Sequence, residues 1–156
     1  MEKDPQVPMH LPPSASVGLL GFEASDQDLL NSILDCAESP AAPERKWKIH
    51  SQPNVESTLE DLRLNPIPIV LCDRDRTAGA WKDLLLRFVA LPDPPLLIVA
   101  SRMADEHLWA EALNLGAWDV LAKPFDAAEV VRITGLACLR WHQRHTDSSA
   151  VMRAVA

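Results

Sequence analysis

Ile67-Pro68-Ile69-Val70-Leu71-Cys72 runs through apolar residues and ends abruptly on Asp73-Arg74-Asp75-Arg76. A short run this rich in β-branched residues reads as a strand buried on both faces, as in a parallel sheet. Its end puts carboxylates at the sheet's carboxyl edge. Open α/β sheets bind ligands in the crevice at that edge. The stretch from Pro66 to Gly79, and Asp73 above all, therefore constrains everything else the chain can do.

The flanking sequence alternates between strand and helix patterns. Residues 1–15 carry Pro5, Pro8, Pro12 and Pro13 and read as a mobile tail. Ser16 to Leu20 is a short strand. Ser25, with Asp28 three residues on, caps a helix bearing Leu29, Leu30, Ile33 and Leu34. SPAAPER is a loop, Trp47 to His50 a second strand, and Val55, Leu59 and Leu62 mark a second helix ended by Asn65-Pro66. Beyond the central strand, Trp81 to Leu91 is helical with Leu84, Leu85, Phe88 and Val89 as its buried stripe. Leu96 to Ala100 is a fourth strand. Asp105 or Ala104 starts a helix through Leu115, and Gly116 stands where a left-handed terminal residue belongs. Trp118 to Ala122 is a fifth strand, and Asp126 to about Trp141 a last helix, followed by a short polar tail. The division is tail 1–15, one domain 16–142, tail 143–156. Five alternations imply a doubly wound parallel sheet with helices on both faces.

Composition narrows the function classes. The 156 residues, 47% hydrophobic and 24% charged, suit one globular domain. A net charge of −7 argues against a nucleic-acid surface, and no apolar window is long enough to span a bilayer. The N-terminus lacks an apolar signal core, and Cys36, Cys72 and Cys138 read as reduced core residues, so the expected setting is cytoplasmic. No glycine-rich phosphate loop or nucleophile elbow is present, which disfavours a small enzyme of similar shape.

Three strand ends carry chemistry: Asp73, Ser101 and Lys123. A carboxylate can take a phosphoryl group, an ammonium can balance charge on its oxygens, and a hydroxyl can donate to it. Taken singly, each has a plainer reading. Asp73 could pair with Arg74 or Arg76, Ser101 could be a turn residue, and Lys123 could be a surface lysine.

With LIVAS, IVLCD and LNLGAWDVLAKPF in view, residues 16–142 resemble a CheY-like receiver domain of a two-component response regulator. That resemblance implies a flavodoxin-like (βα)5 fold with strand order 2-1-3-4-5. It makes Asp73 the phospho-acceptor and Ser101 and Lys123 phosphoryl-binding residues. Mg²⁺ would be held by Glu23, Asp73 and the Asp75 backbone carbonyl. Val120 stands at the aromatic switch position, with Trp118, on the same face, as its substitute. The match breaks at the acid pair after the first strand: the sequence there is LLGFEAS, so Gly21-Phe22 or Phe22-Glu23 stands in its place. The loop after Asp73 also departs from the family's form.

The implied role is a single-domain receiver, not an enzyme. It is phosphorylated on Asp73 by a histidine kinase or phosphotransfer protein and signals by binding a downstream protein, with homodimerisation expected through the fourth and fifth helices. The alternative is a pseudo-receiver that binds partners without phosphorylation or Mg²⁺.

Overall fold

The computed structural model describes residues 14–36 and 46–155, with side chains described for 15–36 and 46–144. Ten elements follow in strict alternation: β1 (Ser14–Leu20), α1 (Ala24–Asp35), β2 (Lys46–Gln52), α2 (Val55–Leu64), β3 (Ile69–Asp73), α3 (Ala80–Phe88), β4 (Leu96–Ser101), α4 (Glu106–Leu115), β5 (Asp119–Ala122) and α5 (Ala127–Val155). The strands form one parallel sheet in the order β2-β1-β3-β4-β5, as expected. Most of the expected N-terminal tail, and the SPAAPER loop, lie outside the described residues. Ser14 and Ala15, placed in the tail by the sequence, belong to β1.

Every residue of β3 is buried, which explains its nearly continuous apolar character. Ile69 and Leu71 point into a core shared with Leu30 and Leu34 of α1 and Val130 and Ile133 of α5. Val70 and Cys72 point into the opposite core, with Trp81, Leu84 and Phe88 of α3 and Leu108 and Ala112 of α4. Asp73 pairs in register with Ala100, and Ser101 with Ala122. The three strand ends therefore open on one rim.

The helix boundaries have local causes. Asn54 caps α2 by accepting from the Ser57 N–H at 2.8 Å, and Asp105 caps α4 by accepting from the Leu108 N–H at 2.9 Å. Gly116 ends α4 at φ 107°, a conformation that favours glycine. Several expectations need correction. The cap position of α1 is Glu23, not Ser25, and its side chain makes no capping bond. Helix α3 stops at Phe88, leaving Val89 86% exposed rather than in the buried stripe. Helix α5 continues past Trp141 to Val155. Cys36 is exposed, whereas Cys72 and Cys138 are buried.

Candidate functional site

Asp73, the last residue of β3, is completely buried. Its Oδ2 accepts a hydrogen bond from Lys123 Nζ, and its Oδ1 accepts from the Asp75 N–H at 2.9 Å. Lys123 follows β5 on a cis peptide bond to Pro124. Its ammonium also meets Asp26 Oδ2 at 3.2 Å, from the first turn of α1. Burial disfavours the charged ammonium, but hydrogen bonds and charge from Asp73 and Asp26 outweigh it and raise the Lys123 pKa above its ordinary 10.5.

Ser101 ends β4 and is also fully buried, but its partner is not Asp73. Its hydroxyl donates to Asp75 Oδ1 at 2.7 Å and accepts from the Met103 N–H at 3.0 Å. The Arg102 N–H donates to Asp75 Oδ2 at 2.8 Å. Thus one carboxylate from the loop after β3 takes two donors from the end of β4 and the residue after it. Partial burial works to raise the Asp75 pKa. The Arg102 and Ser101 hydrogen bonds, with Lys123 and Arg74 nearby, overcome it and hold the carboxyl below its ordinary 3.8.

The loop after β3 is fastened at its far end too. Thr77 Oγ1 donates to the Asp73 carbonyl and lies 3.5 Å from Cys72 Sγ. Burial is the main reason the Cys72 thiol is pushed up to about 11, which makes it a poor nucleophile.

The residues present do not fit the implied metal site. Phe22 is buried, its ring centroid lies 5.5 Å from Lys123 Nζ, and it tilts against Phe125 with centroids 6.2 Å apart. An apolar ring thus fills a position where the family resemblance implies a carboxylate. Glu23 instead pairs with Arg76 at 2.9 Å, with about half of each side chain in solvent. Both oxygens of Asp73 are already hydrogen-bonded. Among the described residues, no three His, Cys, Asp or Glu side chains are grouped so that they could hold an ion. Mg²⁺ favours octahedral oxygen coordination and leans on one or two carboxylates, but the two that meet here, Asp73 and Asp26, are both engaged by the Lys123 ammonium.

Asp73, Ser101 and Lys123 do share one rim, with Asp75 between Ser101 and the end of β3. The Glu23 carboxylate is paired with Arg76. Val120 is buried in the α3–α4 core, whereas Trp118 packs against the α1–α5 core, so the two do not share a face as expected. Sequence reasoning missed Asp26, the Arg102 N–H and the role of the Asp75 side chain, of which it used only the carbonyl. The acid in the first turn behind Glu23 was the available signal for Asp26. An Asp side chain readily accepts the N–H two residues on, which was the signal for the Asp73–Asp75 turn but not for what the Asp75 carboxylate itself binds.

No family model and no curated protein matches the sequence. Solved structures do match. NtrX from Brucella abortus in complex with ADP aligns with TM-score 0.74 at 17% identity over 92% of this chain, which spans 30% of the NtrX chain. The signal receiver domain of a repressor named Luxo from Vibrio parahaemolyticus aligns with TM-score 0.71 at 16% identity, covering 85% of this chain and 96% of that one. The signal receiver domain of an HD domain-containing protein from Pseudomonas fluorescens Pf-5 gives 0.67 at 19%, covering 83% and 98%. This chain has the fold of a response-regulator receiver domain. No helix among the described residues is long and apolar enough to cross a membrane.

Proposed function

We propose that the chain is a receiver-type signalling module that works by protein–protein contact, with its rim arranged by its own side chains rather than by bound Mg²⁺ and a phosphoryl group. The observation that carries this reading is Phe22, buried beside Lys123. The ammonium is meanwhile shared by Asp73 and Asp26. The contact surface is the face of α4, where Leu108 and Ala112 enter the core while Trp109, Leu113 and Leu115 remain exposed. The partner is a downstream protein or a second copy of the chain.

The test is intact mass after incubation with acetyl phosphate and Mg²⁺. The expected result is no added phosphoryl mass, together with partner binding that survives Asp73→Ala. A mass gain abolished by Asp73→Asn overturns the proposal.

That outcome would establish the second reading, favoured by the meeting of Asp73 and Lys123 on the carboxyl rim. In it, Asp73 attacks phosphorus in a histidine kinase's or phosphotransfer protein's phosphohistidine. The P–O bond forms as the P–N bond breaks, and the histidine nitrogen keeps the electron pair and takes a proton from water. Lys123 then balances charge on the transferred group.

A further inference from the structure

We infer that the Asp75 carboxylate is the resident anion of the rim, occupying the donors that an oxyanion would need and holding the loop after β4 engaged with no added group. Ser101 Oγ and the Arg102 N–H converge on its two oxygens at 2.7 and 2.8 Å. Their convergence from consecutive residues makes a small anion cradle. Ser101 is fully buried, so its hydroxyl must find a partner within the protein, and Asp75 supplies it. The same hydroxyl accepts the Met103 N–H, so removing the carboxylate loosens a chain of three linked groups rather than one bond. Lys123 and Arg74 add positive charge near the carboxylate, which favours its ionised form. Among the described residues, the neighbouring carboxylates have partners of their own: Asp73 is taken up by Lys123 and the Asp75 N–H, Asp26 by Lys123, and Glu23 by Arg76.

The inference deepens the contact-signalling reading and rests on it, because it names what keeps the rim in one state. Asp75 differs from a phosphoryl group in being permanent. Its backbone N–H is also bound to Asp73 Oδ1, so its position is fixed by the strand end itself.

Backbone amide exchange in the full chain tests it, with inorganic phosphate as the probe. In the unsubstituted protein, the Arg102 and Met103 amides exchange slowly and phosphate leaves them unchanged. In Asp75→Ala, both exchange about tenfold faster or more, as expected for lost hydrogen bonds. Added phosphate then restores protection by entering the emptied cradle. In Ser101→Ala, Met103 is released but Arg102 stays protected by Asp75 Oδ2. Protected amides in β3 and β4 show that each variant remains folded. If Asp75→Ala unfolds, the Ser101→Ala pattern decides alone. Unchanged exchange at Arg102 in Asp75→Ala overturns the inference. So does phosphate acting equally on the unsubstituted protein, failure of phosphate to restore protection in Asp75→Ala, or loss of Arg102 protection in Ser101→Ala. A phosphoryl mass gain on Asp73 would instead overturn the contact-signalling reading while leaving this amide pattern intact.

Discussion

A Cβ placed on Gly21 would overlap the Thr77 Cγ2 methyl. Gly21 also has φ 79°, where any side chain is strained. The two residues lock the turn after β1 against the loop after β3. Gly21→Ala should therefore cost about 2–3 kcal/mol from strain and overlap together. Thr77→Ser removes the methyl while keeping the hydroxyl, and should return part of that loss in the double variant. Urea unfolding of the two single variants and the double variant measures the coupling.

Phe22→Asp should trade stability for metal affinity. Losing a buried aromatic side chain costs about 3 kcal/mol or more. The new carboxylate would stand near Asp73 and Asp26, so millimolar Mg²⁺ should raise the variant's Tm and leave the unsubstituted protein's Tm unmoved. Thermal unfolding with and without Mg²⁺ gives the answer.

Lys123→Met leaves Asp73 fully buried without its cation and should destabilise by about 3 kcal/mol. Asp73→Asn should cost less, because Lys123 keeps Asp26. The double variant should be less destabilised than the sum of the two. Chemical denaturation of all three distinguishes a coupled pair from two independent losses.

The pH response has a definite sign at each end. Asp75 has a folded-state pKa below 3.8, so its contribution is present above that value and is lost as pH falls through the lower folded pKa. Asp75→Asn should flatten the acid limb, modestly, since Asp75 is exposed to solvent. Lys123 has a folded-state pKa above 10.5, so its contribution is complete below 10.5 and is lost as pH rises through the higher folded value. Lys123→Met should flatten the alkaline limb. Unfolding midpoints across both limbs check the two signs separately.

Trp109→Ser, on the more exposed side of α4, should destabilise by about 1 kcal/mol, since part of the ring is covered. It should weaken partner binding or self-association. Sedimentation at high concentration reads self-association, and monomers throughout would remove the homodimer from the possible partners. Leu108→Ala, one residue earlier but buried, should instead cost about 2–4 kcal/mol.

The sheet was legible because burial on both faces forces an unbroken apolar run, and β3 and β4 both have one. Gly116 was legible because a left-handed helix end admits few residue types, whereas the sequence allows either Ala104 or Asp105 at the start of α4 and the cap is Asp105. The rim was legible only as a set of strand ends. Which side chain bonds which depends on loop geometry, and the Ser101 hydroxyl, expected to serve a phosphoryl group, instead meets the Asp75 carboxylate. Val89 was misread because helical spacing continues on paper after the helix has ended. Trp109 and Leu115 lie on the same apolar stripe as Leu108, yet spacing alone does not say how far around a helix the core extends. The family pattern suggested an acid near Phe22, while the sequence already held an aromatic there that needed a buried place.

The loop clasp made by Asp75 is part of the polypeptide and forms with no added group. On the contact-signalling proposal, a module held this way would need no triggering event to present its contact surface. What a cell could adjust is then how many copies are made and how long they last.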